Sequence, residues 1–447
     1  MRDSDSKAKT VCDRRTLLGR AFASAAVTSF AGGRLPACSP VNSPATTVND
    51  SAWPQFFGAD GTGVVRSSGN APVRWSREAN ETSLRWRTEL PGSGWSSPVV
   101  DQGIVFVSAA IESGEGQPRD LVVHKVDAET GRLLATFKVF KQADDRKFPI
   151  HGKNSHASAT MVLDGQRLFA HFGYQGTALL TTDGEIVWEN RDLVFPPVHG
   201  NGGSPIMVGD QLVFTCDGAD EPYVASLESS SGKLRWKTTR PVDADRKFSF
   251  ATPSAFEFEG QAQIIAPGSD CIMALDPADG RMLWSFESSG FSVVPKPMKV
   301  GELIIYCTGF MRPSLIAIRP GTEANGWVPS EAWRVDRNVP KTPTPILDGD
   351  AVVMVSDEGI VTRVRVEDGS VAYRKRLGGK FSASPIKVNE LLYLTSEDGT
   401  TTVIRSGENF EEVTKNELDE RTFATPAFAY GSLFIRTEQA LYCIAGQ

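Results

Sequence analysis

Short runs of alternating apolar and polar residues recur along the chain at a nearly constant spacing. Each repeat begins with a small residue and a proline, as at Ser204-Pro205 and Thr344-Pro345, and continues into further apolar runs. It ends on the pattern Asp-x-x-x-Gly followed by an aromatic residue, as at Asp276, Gly280 and Trp284. Runs this short, with a period of two, predict β-strands.

The repeats also indicate the number of structural units. Eight of them start near residues 98, 159, 205, 253, 297, 345, 385 and 426. Four short antiparallel strands in each unit are typical of a β-propeller blade. Only three strands follow Thr425-Pro426, whereas a lone strand, Leu84-Arg85-Trp86-Arg87-Thr88-Glu89, stands before the first repeat. We therefore predict an all-β fold: an eight-bladed β-propeller of four-stranded antiparallel blades, closed by an N-terminal strand that joins the last blade.

Side-chain size along the repeat fits a wedge-shaped blade. Small residues such as Ser97 begin the strand expected nearest the axis, where blades crowd together. Large rings end the repeats at the rim, where neighbouring blades diverge; they are Trp188, Trp236, Trp284 and Trp333. Their repetition indicates packing rather than contact with a cofactor. Cys216, Cys307 and Cys443 are predicted to be buried free thiols.

The N-terminal residues have the features of a targeting segment. Residues 1–38 are interpreted as an export signal, because Arg14 and Arg15 precede an apolar pair as in the twin-arginine motif. The segment Leu35-Pro36-Ala37-Cys38 fits a bacterial lipobox, in which Cys38 is acylated. Cleavage before Cys38 without a lipid is the alternative. We expect an exported, periplasmic protein whose contact with a membrane is through a lipid on Cys38.

Composition narrows the class of protein. Residues 39–52 are predicted to be a flexible tether, and residues 53–447 form the propeller. Lys and Arg number 47 against 54 Asp and Glu, a net charge of −7. Without a basic face, nucleic acid is not an expected partner. No C-x-x-C pair is present, so zinc ribbons and dithiol redox motifs are not expected.

The segment Ala274-Leu275-Asp276-x-x-x-Gly280-x-x-x-Trp284 resembles the PQQ-type repeat. That repeat occurs in quinoprotein dehydrogenases and in the propeller lipoprotein of the outer-membrane β-barrel assembly machinery. The segment Trp53-Pro54-Gln55-Phe56-Phe57-Gly58 resembles secreted, planctomycetal PQQ-like propellers. The resemblance implies an eight-bladed fold and leaves the activity open. It also implies that a PQQ and Ca²⁺ enzyme would carry adjacent cysteines, which this sequence lacks, so neither cofactor is expected.

Candidate ligand-binding residues lie in the segments that enter each inner strand, which share one face near the channel mouth. They are Trp95, His151, Asn154, His156, His199, Asn201, Lys341 and Arg421. Clustering around a concave funnel favours a ligand site. The alternative is that these side chains satisfy backbone groups of the loops. A metal at His151, His156 and His199 is not expected, because no carboxylate accompanies them at a fixed spacing.

Three functions fit these observations. The leading hypothesis is a non-catalytic binding or scaffold propeller, with an envelope protein, peptide or glycan as partner and no catalytic residue. The second is a PQQ-dependent, quinoprotein-like oxidoreductase. The third is a hydrolase or lyase that uses the funnel histidines for acid–base chemistry.

Overall fold

A computed structural model of the protein describes residues 50–76, 83–114, 117–143 and 148–446. The predicted export signal, with Arg14, Arg15 and Cys38, and nearly all of the predicted tether lie outside these residues. Within the described part of the chain, no helix is long and apolar enough to cross a membrane. Its helical elements are two single 3-10 turns, Gly173–Gln175 and Glu323–Asn325.

Strands account for nearly all regular structure. Two precede the first repeat: β1 (Val64–Val65) and β2 (Leu84–Glu89). The first blade has β3 (Val99–Asp101), β4 (Ile104–Ile111), β5 (Asp120–Asp127) and β6 (Leu133–Lys141). The second has β7 (Val162–Asp164), β8 (Arg167–His171), β9 (Thr177–Thr181) and β10 (Ile186–Asn190). The third has β11 (Ile206–Val208), β12 (Gln211–Cys216), β13 (Tyr223–Glu228) and β14 (Leu234–Thr239).

The next three blades follow the same order. The fourth has β15 (Ser254–Phe258), β16 (Gln261–Gly268), β17 (Cys271–Leu275) and β18 (Met282–Glu287). The fifth has β19 (Met298–Val300), β20 (Leu303–Cys307), β21 (Leu315–Arg319) and β22 (Ser330–Val335). The sixth has β23 (Ile346–Asp348), β24 (Ala351–Val355), β25 (Ile360–Arg365) and β26 (Val371–Arg376).

The seventh blade has β27 (Ile386–Val388), β28 (Leu391–Thr395), β29 (Thr400–Arg405) and β30 (Glu412–Glu417). The eighth has β31 (Ala427–Ala429), β32 (Ser432–Arg436) and β33 (Ala440–Ala445). Its outermost strand is β2, which pairs antiparallel with β33. The described strands thus form eight antiparallel four-stranded blades, with β1 added in parallel to β27. The predicted all-β, eight-bladed propeller and its closure by an N-terminal strand are confirmed.

The strand register shows why the last blade accepts β2. Trp86 of β2 lies opposite Cys443. In the fourth blade Trp284 lies opposite Ala274, so a small residue faces the indole in both places. The closing strand therefore repeats the contact made in the third, fourth and fifth blades, where Trp236, Trp284 and Trp333 each face a small residue. Cys443 is buried and free, as are Cys216, Cys271 and Cys307, in agreement with the predicted thiols.

Four of the five outer-strand tryptophans donate a hydrogen bond to the next blade, whereas Trp284 donates to Gln263 of its own blade. Trp236 of the third blade donates its indole N–H to the Pro277 carbonyl of the fourth at 3.1 Å. Gly280 of the same turn has a φ of +74°, and a Cβ there would be 2.5 Å from Trp236 Cδ2. Trp86, Trp188 and Trp333 cover equivalent glycines, which are Gly131, Gly232 and Gly369. The predicted packing role of these tryptophans is confirmed.

Candidate functional site

A ring of hydrogen bonds surrounds the propeller axis where the chain enters the inner strands. The backbone N–H of Ser97 donates to Thr160 Oγ1 at 3.0 Å, and that of Thr160 to Ser204 Oγ at 2.9 Å. Four more such bonds of 2.9–3.0 Å follow, from Ser204 to Thr252, Lys296 to Thr344, Thr344 to Ser384 and Ser384 to Thr425. We call Ser97, Thr160, Ser204, Thr252, Thr344, Ser384 and Thr425 the hydroxyl ring. All seven are buried and line one cavity.

The hydroxyl ring has hydrogen-bonding capacity to spare. A hydroxyl can donate one hydrogen bond and accept two. In six members, all except Ser97, the oxygen accepts a backbone N–H from the neighbouring blade. No acceptor within the described residues takes the proton of any of these six hydroxyls. The ring therefore offers hydrogen-bond donors to whatever enters the cavity.

The cavity itself is a funnel of about 790 Å³. Ligand pockets of small molecules usually fall between about 300 and 1,000 Å³. The funnel wall is made by the segments that enter the inner strands, and by loops between second and third strands such as the one containing Asp357 and Glu358. Phe56, from the segment before the first blade, also lines it.

That N-terminal segment, residues 53–65, crosses the channel beyond the hydroxyl ring; we call it the plug segment. Trp53 exchanges backbone hydrogen bonds with Val100 at 2.7 and 2.8 Å, and the Pro54 carbonyl accepts from Leu163 N–H at 2.8 Å. The Gly63 carbonyl accepts from Lys387 N–H at 2.9 Å. The plug segment is therefore held by the inner strands of the first, second and seventh blades.

The three contacted positions locate the plug segment along the axis. Each contacted residue lies three positions after the hydroxyl-ring residue of its own blade: Val100 after Ser97, Leu163 after Thr160, and Lys387 after Ser384. Three strand residues span about 10 Å. The plug segment thus closes the end of the channel away from the entry segments, and the funnel is blind.

Lys296 holds the plug segment from the opposite side. It occupies the ring position of the fifth blade, where the other seven blades have a hydroxyl residue. Its ammonium donates to the Gly61 carbonyl at 2.7 Å, and the residue is buried. Burial lowers the pKa of Lys296 to about 8.

One side of the funnel wall is a continuous series of rings. His151 contacts His199 with ring centroids 5.5 Å apart, and His199 contacts Phe248 at 5.2 Å. Phe248 contacts Phe291 at 5.7 Å, and Phe291 contacts Phe310 at 5.8 Å. Interplanar angles of 69–87° make these edge-to-face contacts, the arrangement that aromatic quadrupoles favour. We call these five residues the aromatic arc.

Positive side chains outnumber negative ones in the lining. The cations are Lys153, Arg246, Lys341 and Lys380, and the carboxylates are Asp357 and Glu358. Lys341 pairs with Glu358 at 2.7 Å, and the pair holds the pKa of the Glu358 carboxyl below its usual value. The Arg246 guanidinium lies 4.4 Å from the Phe291 ring centroid. Among the described residues no carboxylate pairs with Arg246 or Lys380.

The two funnel histidines are fixed by the loops that carry them. The His199 carbonyl accepts from His151 N–H at 3.1 Å and from Asn154 Nδ2 at 2.8 Å. Burial, and secondly the nearby His151, lowers the pKa of His199. The lowered pKa favours the neutral imidazole of His199, which can accept a proton.

Five of the eight residues predicted for the site line the funnel: Trp95, His151, Asn154, His199 and Lys341. The other three do not line it. Burial lowers the pKa of His156 to about 4, and the charges of Arg119 and Glu112 of the first blade also act on it. Asn201 packs against Gly173. Arg421 lies beside the lining, because its guanidinium is 6.0 Å from the centroid of the Trp95 ring.

Sequence reasoning misses several lining residues. It finds the hydroxyl ring only as small residues, although a hydroxyl recurring before the inner strands is visible in the repeat. No repeated sequence pattern indicates the lining residues Phe291, Phe310 and Lys380, because they lie in loops whose sequences differ from blade to blade. Arg246 belongs to the tetrapeptide Asp245-Arg246-Lys247-Phe248, which has a copy at Asp145-Arg146-Lys147-Phe148. Residues 144–147, which include most of that copy, lie outside the described part of the chain.

A family model described as outer membrane protein assembly factor BamB matches residues 50–192, 83–246, 177–329 and 324–409. The overlapping matches cover most of the chain. The chain belongs to this family of PQQ-like repeat propellers. No curated protein matches it in sequence.

Solved structures show the same fold. Quinohemoprotein alcohol dehydrogenase from Comamonas testosteroni gives a TM-score of 0.63 at 11% identity, covering 90% of this chain and 82% of that one. A europium-containing methanol dehydrogenase gives 0.58 at 10% identity, covering 89% and 90%. BamB from Moraxella catarrhalis gives a TM-score of 0.48 at 14% identity, covering 72% and 98%, a score too low to establish a common fold. At such identities the likeness extends to the fold alone.

Few carboxylates that could bind a calcium ion line the described part of the funnel. Within the described residues, no three His, Cys, Asp or Glu side chains come together as a metal site. The lining carboxylates are already engaged, since Asp357 accepts from Lys341 N–H at 2.7 Å and from the Thr342 hydroxyl at 2.8 Å, and Glu358 pairs with Lys341. Calcium needs six to eight oxygen ligands, and the described lining does not bring together the free carboxylates that would supply them.

Proposed function

We propose that this protein is an exported, non-catalytic binding propeller whose funnel holds part of an envelope partner. The observation that carries the proposal is the blind, ligand-sized funnel walled by the aromatic arc and cations. A funnel closed at one end admits a ligand or a chain end from one face only. Membership of a family described as an outer membrane protein assembly factor supports a partner in the cell envelope.

The aromatic arc suits binding for a physical reason. Its rings supply a large apolar surface at little conformational cost, because their edge-to-face contacts already fix them. Phe310 at the mouth is 45% exposed, so a partner that covers it gains hydrophobic stabilisation. Preorganised aromatic anchors of this kind dominate binding energy at many interfaces.

Co-purification from detergent-solubilised envelope tests the proposal. Phe310→Ala should lower the recovery of the partner about tenfold, because it removes an anchor at the funnel mouth. Leu234→Ala is the matched control, since Leu234 is 46% exposed but lies on an outer strand. Equal recovery with both variants and the wild type would refute a funnel-bound partner.

Export and anchoring are part of the same proposal. Arg14 and Arg15 would direct twin-arginine export, and Cys38 would carry a lipid. An Arg14→Lys, Arg15→Lys variant should accumulate in the cytoplasm. A Cys38→Ala variant should move from the membrane fraction to the soluble periplasmic fraction. A wild-type protein already recovered in the soluble fraction would contradict the lipid anchor and leave export standing.

Acid–base catalysis is the second candidate function, favoured by the neutral His199 in the funnel wall. A base of this kind can take a proton from the carbon next to a uronate carboxylate, while a neighbouring cation stabilises the charge that forms. A carbon–carbon double bond then forms as the glycosidic oxygen on the adjacent carbon leaves with its bonding electrons, and the imidazolium returns the proton to that oxygen. His199→Gln should then abolish product formation from acidic oligosaccharides but keep their binding. The oxidoreductase alternative predicts quinone absorbance and dye-linked dehydrogenase activity in the purified protein.

A further inference from the structure

Cations concentrate in the funnel of a chain that is acidic as a whole. The net charge is −7, yet Lys153, Arg246, Lys341 and Lys380 line the cavity. Lys153 pairs with Glu397 at 2.6 Å and Lys341 with Glu358 at 2.7 Å, so among the described residues Arg246 and Lys380 are the lining cations without a carboxylate partner. Arg436 adds a buried charge behind the wall and donates to Ser96 Oγ at 2.6 Å. Within the described residues no carboxylate pairs with it. This arrangement favours an anionic ligand.

The hydroxyl ring requires a ligand rich in hydrogen-bond acceptors. Its six free hydroxyl protons lie among buried residues, where an apolar ligand would leave them unsatisfied. Carboxylate, hydroxyl and ring oxygens can accept these protons, and the ring repeats the donor around the axis. An apolar peptide side chain offers no such acceptors.

The aromatic arc supplies the third requirement, a rigid apolar body in the ligand. The C–H faces of sugar rings pack on aromatic rings while their oxygens point outward. Arg246 is held against Phe291 of the arc, so a cation stands beside the stacking surface. A pyranose that carries a carboxylate satisfies both groups at once.

We propose that the funnel binds the terminal residues of an acidic, uronate-containing glycan, an assignment that rests on the proposed binding function. The uronate carboxylates contact Arg246 and Lys380, and the sugar rings pack along the aromatic arc. The sugar hydroxyl and ring oxygens accept from the hydroxyl ring. Because the plug segment closes the channel, the glycan enters by one end and does not thread through.

Calorimetric titration of the full-length protein with three defined probes tests this assignment. Trigalacturonate should bind at least tenfold more tightly than neutral cellotriose, and its affinity should fall as salt is raised from 50 to 500 mM. Hexaglutamate, which carries the charge without sugar rings, should bind more weakly than trigalacturonate. Equal affinity for the two sugars, or tighter binding of hexaglutamate, would overturn the assignment.

Variants locate the binding. Arg246→Gln should weaken trigalacturonate about tenfold and leave cellotriose unchanged, whereas Lys237→Gln should change neither. Lys237 is a matched control, because it lies 5.0 Å from the Tyr223 ring centroid on an outer strand. Thr425→Val should weaken both sugars severalfold, with unchanged circular dichroism as the folding check. If no sugar binds although Phe310→Ala abolishes partner recovery, the glycan assignment fails and the binding function stands.

Discussion

The contact between a rim tryptophan and the next blade makes a sharp prediction. Gly280→Ala places a methyl group where Trp236 Cδ2 would be 2.5 Å away, which real Cβ contacts do not tolerate. Gly260 is a matched control, because its backbone has the same left-handed conformation. Its φ is +79° against +74° at Gly280, but a Cβ at Gly260 meets nothing within 4 Å.

The two substitutions share one cost and differ in the other. A left-handed conformation costs an L-residue roughly 1–2 kcal/mol, so both variants lose about that much. Overpacking a closed contact costs about 1–3 kcal/mol more, and only Gly280→Ala suffers it. With an unfolding entropy of about 2.1 cal/mol/K per residue over roughly 400 residues, the difference corresponds to about 1–4 °C in Tm.

Scanning calorimetry of the two variants and the wild type measures this difference. A double-mutant cycle identifies its origin: in a Trp236→Leu background the extra cost of Gly280→Ala should fall, because the indole that blocks the methyl group is gone and only Thr238 Oγ1, at 2.9 Å, still opposes it. Equal Tm values for Gly260→Ala and Gly280→Ala would refute the reasoning. The glycine would then be required only for its φ, and the tryptophan contact would contribute nothing.

Three further predictions concern buried charges and thiols. Below about pH 8, the pKa of Lys296 in the folded protein, its ammonium is charged in both the folded and the unfolded state. Between about pH 8 and about pH 10.4 the unfolded chain binds more protons, so the free energy of unfolding should rise with pH. Denaturant unfolding should show this rise in the wild type but not in Lys296→Met, and equal slopes would contradict it. Asp217→Asn leaves Arg240 buried without its partner at 2.8 Å and should cost about 3–5 kcal/mol. Asp210→Asn, at an exposed pair, should cost under about 1 kcal/mol by the same assay. Ellman's reagent should reach the propeller thiols of a Cys12→Ser, Cys38→Ser chain only after unfolding, and rapid reaction of the native protein would show that they are accessible. These thiols are Cys216, Cys271, Cys307 and Cys443.

The fold was predictable because each blade repeats the same physical solution. The period of two in apolar positions marks strands, and the repeated Trp and Gly mark the contact between blades. The match of Trp86 to the outer-strand tryptophans showed where the ring closes. The plug segment gave no such signal, since only Val64–Val65 pair as a strand and the partners of the segment lie far away in sequence.

The candidate site was predictable as a place but not in its details. Strand direction places every entry segment on one face, and this correctly located His151, His199 and Lys341. Which side of a loop faces the funnel depends on hydrogen bonds that do not repeat. His156 is only five residues after His151, yet it does not line the funnel, and charges of the first blade, Glu112 and Arg119, influence it.

Departures from the repeat, more than the repeat itself, point to function. At the ring position seven blades have a hydroxyl, and six of these hydroxyls join adjacent inner strands and leave a proton for the cavity. The fifth blade has Lys296 instead, and its ammonium holds the plug segment that makes the funnel blind. At the end of β32 a buried Arg436 adds positive charge beside the same cavity. Both substitutions bury a cation at a cost in desolvation. Packing of the blades needs neither residue, since the equivalent positions elsewhere are uncharged. We infer that the funnel, rather than the stability of the propeller, accounts for them.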